Sequence, residues 1–229
     1  MRLKWFGFAA LACLLASIPR CSFADTLKLT GTGSTTANIG SESVYVYPYD
    51  FSVNGSSSTT QLMCISFDKE ISVGEQWNVN IESLTAAAGG DSTLLNSYEE
   101  DAWLFGQITP STSATDVTLI QFAAWAILDP TGVETAADTE WNNNQVAING
   151  LIADAASGVA GAAPGYFNQF ELYVPSGPSG YYNKDHGYPD GVPQTFIGTS
   201  PTPEPGSLAL LGTGLLGMVG EMKRRLRKA

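Results

Sequence analysis

The sequence predicts an α+β domain: a β-sandwich or barrel with a helical insert, flanked by a signal peptide and a C-terminal transmembrane sorting helix. Three observations predict it. Short aromatic and β-branched segments with period-two alternation follow residue 25 and return before residue 200. Segments of helical period fill the middle. Apolar runs with basic flanks stand at both ends.

The first element is an address. Arg2 and Lys4 precede an apolar stretch, Trp5 to Ile18, and Ser22-Phe23-Ala24 offers small residues at −3 and −1. That pattern assigns 1–24 to a signal peptide cleaved before Asp25. The exported domain then spans 25–200. Its strands are expected at Thr26–Thr30, Val44–Tyr47, Tyr49–Val53, Leu62–Phe67 and Trp77–Ile81, with turns at Asn54-Gly55 and Val73-Gly74. Asp91-Ser92 caps a helix to about Gly106. Asp116 caps a second helix, Val117–Leu128, with Ile120, Ala123, Ala124, Ile127 and Leu128 as its stripe, stopped at Asp129-Pro130. A third runs from about Asp138 to Ala156. Strands return at Phe170–Val174 and Gln194–Gly198, with a Gly-, Pro- and Tyr-rich loop over 175–193. Strands, helices, then strands make the α+β class.

Composition narrows the function. The 229 residues suit one domain with trimmings. Between Asp25 and Thr202 three lysines face twenty carboxylates, with no arginine. Such a surface repels phosphate backbones, so nucleic acid is not an expected partner. A single histidine, His186, argues against histidine-rich metal sites and acid–base triads. No cofactor is expected.

The C-terminal segment, 203–229, has three ordered parts. Pro203-Glu204-Pro205 breaks any helix. An apolar, glycine-rich run follows across 206–222, at the short edge of what a spanning helix needs. Lys223-Arg224-Arg225 opens a basic tail. Together they resemble the PEP-CTERM sorting signal of exported proteins in Gram-negative bacteria that make extracellular polysaccharide. The resemblance implies processing by an exosortase, a membrane cysteine protease-transpeptidase, near Pro203-Glu204-Pro205. It implies a membrane-anchored precursor and a final place at the cell surface or in a biofilm matrix. A plain single-span anchor is the other reading of the same residues.

Cys13 and Cys21 leave with the signal peptide, so Cys64 is the mature chain's one cysteine and serves something other than an internal disulfide. It sits in a strand pattern, Leu62-Met63-Cys64-Ile65-Ser66-Phe67. In the second helix, Gln121 is a polar residue beside apolar ones, in Gln121-Phe122-Ala123-Ala124-Trp125. This pair of segments resembles the thioester domains of bacterial surface adhesins, in which a strand Cys bonds to the Gln of a Gln-x-Ala-hydrophobic-Trp helix motif. Ser66 stands where those domains usually carry Asp. The resemblance implies an internal Cys64–Gln121 thioester, shielded from water by Trp125, Phe122 and Trp103, that captures an amine-bearing surface ligand once. Such a protein is a covalent adhesin and not an enzyme. The alternative is a matrix protein associated with extracellular polysaccharide, with Cys64 an inert, buried small hydrophobe.

Other candidates follow from composition. Glu99-Glu100-Asp101 or Asp68 with Glu70 could form the carboxylate pair of a secreted carbohydrate-active enzyme. The acidic stretches 129–144 and 185–190 could hold calcium if they are loops. Tyr181, Tyr182 and Tyr188 could stack on sugar rings.

Overall fold

Strand propensity and turn chemistry divide the chain after residue 25 into short extended segments, and the sheet they form closes on itself. The computed structural model describes residues 25–176, apart from 68 and 70, together with 193–200. Eight strands are numbered along this chain: β1 (Asp25–Thr32), β2 (Thr36–Ile39), β3 (Glu42–Tyr45), β4 (Tyr49–Val53), β5 (Thr59–Cys64), β6 (Gln76–Ser83), β7 (Phe170–Pro175) and β8 (Phe196–Thr199). Six of them make a closed barrel in the order β1-β4-β5-β8-β7-β6, every neighbour antiparallel. β2 and β3 form a separate hairpin. Closure gives each of the six barrel strands a neighbour on both sides, although β5 and β8 pair only at Met63–Ile197 and Cys64–Phe196.

Alternation sets which side chains fill the barrel. In β1, Leu27 and Leu29 are buried while Lys28 and Thr30 are exposed. Phe51 meets Phe196 and Trp77 edge-on inside, with ring centroids 4.7 Å apart for Phe51–Phe196 and 5.9 Å for Phe51–Trp77. Asn54 and Gly55, both at positive φ, turn the chain from β4 toward β5.

The helical insert lies between β6 and β7. It consists of α1 (Leu84–Ala87), α2 (Ser92–Gly106), α3 (Ala114–Leu128) and α4 (Pro130–Gly161), followed by a 3-10 turn at Tyr166–Gln169. The α2 cap is as expected: Asp91 accepts from the amides of Thr93 and Leu94. The start of α3 is not. Its cap is Ser113, and Asp116 stands at the third helical position, where its carboxylate accepts from the Ser113 hydroxyl at 2.7 Å. The third helix is also longer than 138–156. Pro130 opens α4 at its first turn instead of only ending α3, and Asp129 caps it by accepting from the Gly132 amide at 3.0 Å. The acidic stretch 129–144 is therefore helix and not a cation-binding loop.

Strand boundaries also move: β3 ends at Tyr45 and not at Tyr47, β5 ends at Cys64 and β8 begins at Phe196. The four-residue α1 is too short to show a period. The stripe expected on α3 is far wider than one face. Val117 and every residue from Ile120 to Ala126 are buried, while Ile127 and Leu128 are only partly so. The helix packs against α2 and α4 and reaches β5. No helix among the described residues is long and apolar enough to cross a membrane. The signal peptide, the sorting segment, most of the 175–193 loop with His186 and its tyrosines, and both Asp68 and Glu70 lie outside the described residues.

Candidate functional site

The site arises where two barrel strands part. β4 and β5 pair with Tyr49 opposite Leu62 and Asp50 opposite Gln61. Carried on by two residues, the same register would set Tyr47 opposite Cys64, exchanging backbone hydrogen bonds. The strands instead admit a side chain from α3. The Gln121 carboxamide accepts from the Tyr47 N–H through Oε1 at 3.3 Å and donates through Nε2 to the Cys64 carbonyl at 2.6 Å. It stands in for one rung of the ladder and meets the demand that buried amides be paired.

This explains a glutamine in the middle of an otherwise apolar helix. Gln121 and Cys64 have no solvent exposure. The contact of the carboxamide with Cys64 is through the backbone carbonyl. The thiol donates to the Ser66 carbonyl at 3.3 Å. Cys64 pairs across the sheet with Phe196, whose ring meets that of Tyr49 edge-on at 5.4 Å. Burial holds the Tyr49 phenol well above its ordinary range, and negative charge on Cys64 raises it further. Tyr49 thus stays a neutral donor, directed at the Tyr45 carbonyl.

Two of the three expected shielding residues stand on the same helix as Gln121. Phe122 and Trp125 are buried on α3 and meet edge-on at 5.5 Å. Trp125 also meets Phe67, just beyond β5, at 5.5 Å. The indole of Trp103, on α2, lies against Gly158 of α4, where a Cβ would collide with the ring.

Of the carboxylate candidates, Glu99, Glu100 and Asp101 lie among the described residues, and none of them lines the cavity beside Tyr47. Asp101 is wholly buried on α2 and neither of its oxygens has a hydrogen-bond partner. Burial, with a smaller push from Glu100, holds its carboxyl well above the usual range. The Glu100 carboxylate accepts from Asn96. Among the described residues no cluster of three or more His, Cys, Asp or Glu could hold a metal ion.

Sequence reasoning missed Tyr47, because a backbone N–H has no residue-specific signature. Its pairing could be read from the strand register once β4 and β5 were set antiparallel.

Residues 201–228 match the model of the PEP-CTERM protein-sorting motif. Comparison with curated proteins and with solved structures gives no match. The likeness to adhesin thioester domains therefore rests on the Cys64 and Gln121 segments alone. The chain carries an exosortase sorting motif, and that motif marks an exported precursor delivered to a membrane-embedded processing enzyme.

Proposed function

We propose that the exported barrel is a covalent attachment module, with an internal thioester formed between Cys64 and Gln121. The observation that carries this reading is the buried Gln121 carboxamide held against the Cys64 carbonyl and the Tyr47 amide. In the reaction the Cys64 sulfur attacks the Gln121 Cδ. The bond from Cδ to Nε2 breaks, and the nitrogen leaves as ammonia with the thiol proton. As Cδ becomes tetrahedral, charge gathers on Oε1, where the Tyr47 N–H is already placed to stabilise it. Water is kept from the product by full burial and by the Phe122–Trp125 pair.

The thioester then acylates one amine of a partner and releases the thiol. The event happens once per molecule, so the module is a binder and not an enzyme. Exosortase processing at Pro203-Glu204-Pro205 would deliver it to the cell surface or matrix. The test is capture of methylamine by the full mature chain. Peptide mapping should find one methylamine on Gln121 and a newly released Cys64 thiol. An unmodified Gln121 rejects the reading.

A second reading has its own support. As an amide, Gln121 is satisfied at both ends and needs no bond to sulfur to bridge β4, β5 and α3. On that reading the chain is a structural matrix protein and Cys64 is core. It predicts a Cys64 thiol that titrates fully on denaturation before any amine is added.

A further inference from the structure

A second site lies on the other side of Tyr47. An open cavity of about 710 Å³ is walled by the rings of Tyr47, Phe105, Tyr166 and Phe170. These rings form a chain of edge and tilted contacts: Tyr47–Phe105 at 5.7 Å, Phe105–Phe170 at 6.2 Å and Tyr166–Phe170 at 5.6 Å. The remaining lining comes from the neighbouring strands β5 and β8, the turn before β7, and Gly106 and Ile108 at the end of α2, and hydroxyl and amide side chains, Gln61 and Gln169 among them, outnumber the apolar ones.

Among the described residues no Asp, Glu, Lys or Arg lines this cavity, although the chain carries a net charge of −11. The polar groups in it are also held in place. Gln61 accepts from the Tyr47 hydroxyl at 3.4 Å and donates to the Asp50 carboxylate at 3.1 Å. Gly106 leaves room for Tyr166, since a Cβ there would stand 2.7 Å from the phenol oxygen. Aromatic walls, oriented amides and hydroxyls, and no formal charge suit a ligand that is hydroxyl-rich, uncharged and has flat apolar faces. Asp50 behind Gln61 and the acidic surface disfavour an anionic chain.

We infer that this cavity binds a neutral glycan chain, with Tyr47 shared between it and the Cys64–Gln121 junction. The inference gives a partner class for the proposed attachment module, but the glycan site does not require the thioester. It names a non-covalent site that neither Cys64 nor Gln121 lines.

The experiment is calorimetric titration of the full mature chain, as wild type and as Cys64→Ala. The probes are cellohexaose, maltohexaose and laminarihexaose, with a galacturonate hexamer and a lysine hexapeptide as controls. The expected result is millimolar or tighter binding of at least one neutral hexasaccharide by both proteins. Tyr166→Ala should weaken it by about tenfold, the loss of one stacking ring. Gln61→Ala and Gln169→Ala alter exposed side chains, so they keep the fold, and each should weaken it severalfold. Failure of all three neutral probes overturns the inference. So does preference for the charged hexamer or the peptide, or binding indifferent to all three cavity variants. Because Cys64→Ala cannot form the thioester, glycan binding by that variant would stand even if the covalent reading failed. Loss of glycan binding in an intact thioester protein would sink only the cavity.

Discussion

Gln121 and Asp101 sit on adjacent, packed helices, and neither has any solvent exposure. Their circumstances are opposite. Gln121 spends its acceptor and a donor on the two backbone groups left open where β4 and β5 separate. Asp101 reaches nothing with either oxygen, and burial drives it toward the neutral acid. Burial alone therefore does not mark a site. What distinguishes Gln121 is that the fold supplies groups matched to it, while Asp101 is merely accommodated by protonation.

The largest expected effect comes from making Gln121 resemble Asp101. Gln121→Glu keeps the shape but at neutral pH has no hydrogen to offer the Cys64 carbonyl. It should cost about 4 kcal/mol at pH 7, with much of the loss recovered in acid as the carboxyl protonates. Denaturant midpoints across pH check it; a pH-independent loss would show that the carbonyl contact is unimportant. Gln121→Ala should cost about 3 kcal/mol, from a cavity plus the two unpaired backbone groups, with no such recovery.

Asp101 should show the same loss of stability as pH rises, but here it is the substitution that relieves it. Its folded value lies well above the ordinary 3.8, so the folded chain holds the proton more tightly than the unfolded one. Its contribution is complete below about pH 4 and declines as pH rises toward the folded value, by up to about 1.4 kcal/mol per pH unit. Asp101→Asn should abolish that slope and raise stability at pH 7. Equal slopes in both proteins would mean that Asp101 finds a partner in solution.

The smallest effects come from the caps that set the two helices. Ser113→Ala at the start of α3 and Asp91→Ala at the start of α2 should each cost about 1 kcal/mol. Being distant from the residues compared, they should add to the larger changes rather than couple with them. Coupling of Ser113→Ala with Gln121→Ala would mean that the carboxamide's position depends on the helix end.

Much of this was legible in advance. Alternation at Leu27 and Leu29, the aromatic β4 and the Asn54-Gly55 turn each marked a barrel strand, and the Asp91 cap placed α2. Cys64 and Gln121 stood out as residue types at odds with their surroundings. The closing order of the strands was not legible, because pairing depends on contacts far apart in sequence. The α3 start was misread because Ser113 and Asp116 are both good caps, and only the backbone shows which one stands outside the helix. Tyr47 was invisible because it acts through its N–H at the junction, and the side chain serves the cavity beside it.

The central claim is that sulfur and carboxamide at the β4–β5 opening become one bond. The direct test is the intact mass of freshly purified mature chain, compared with its Cys64→Ala variant. The account predicts that the wild type weighs less than its sequence by one ammonia while the variant shows no deficit. A wild-type mass equal to the sequence mass, in protein never exposed to amines, would contradict it.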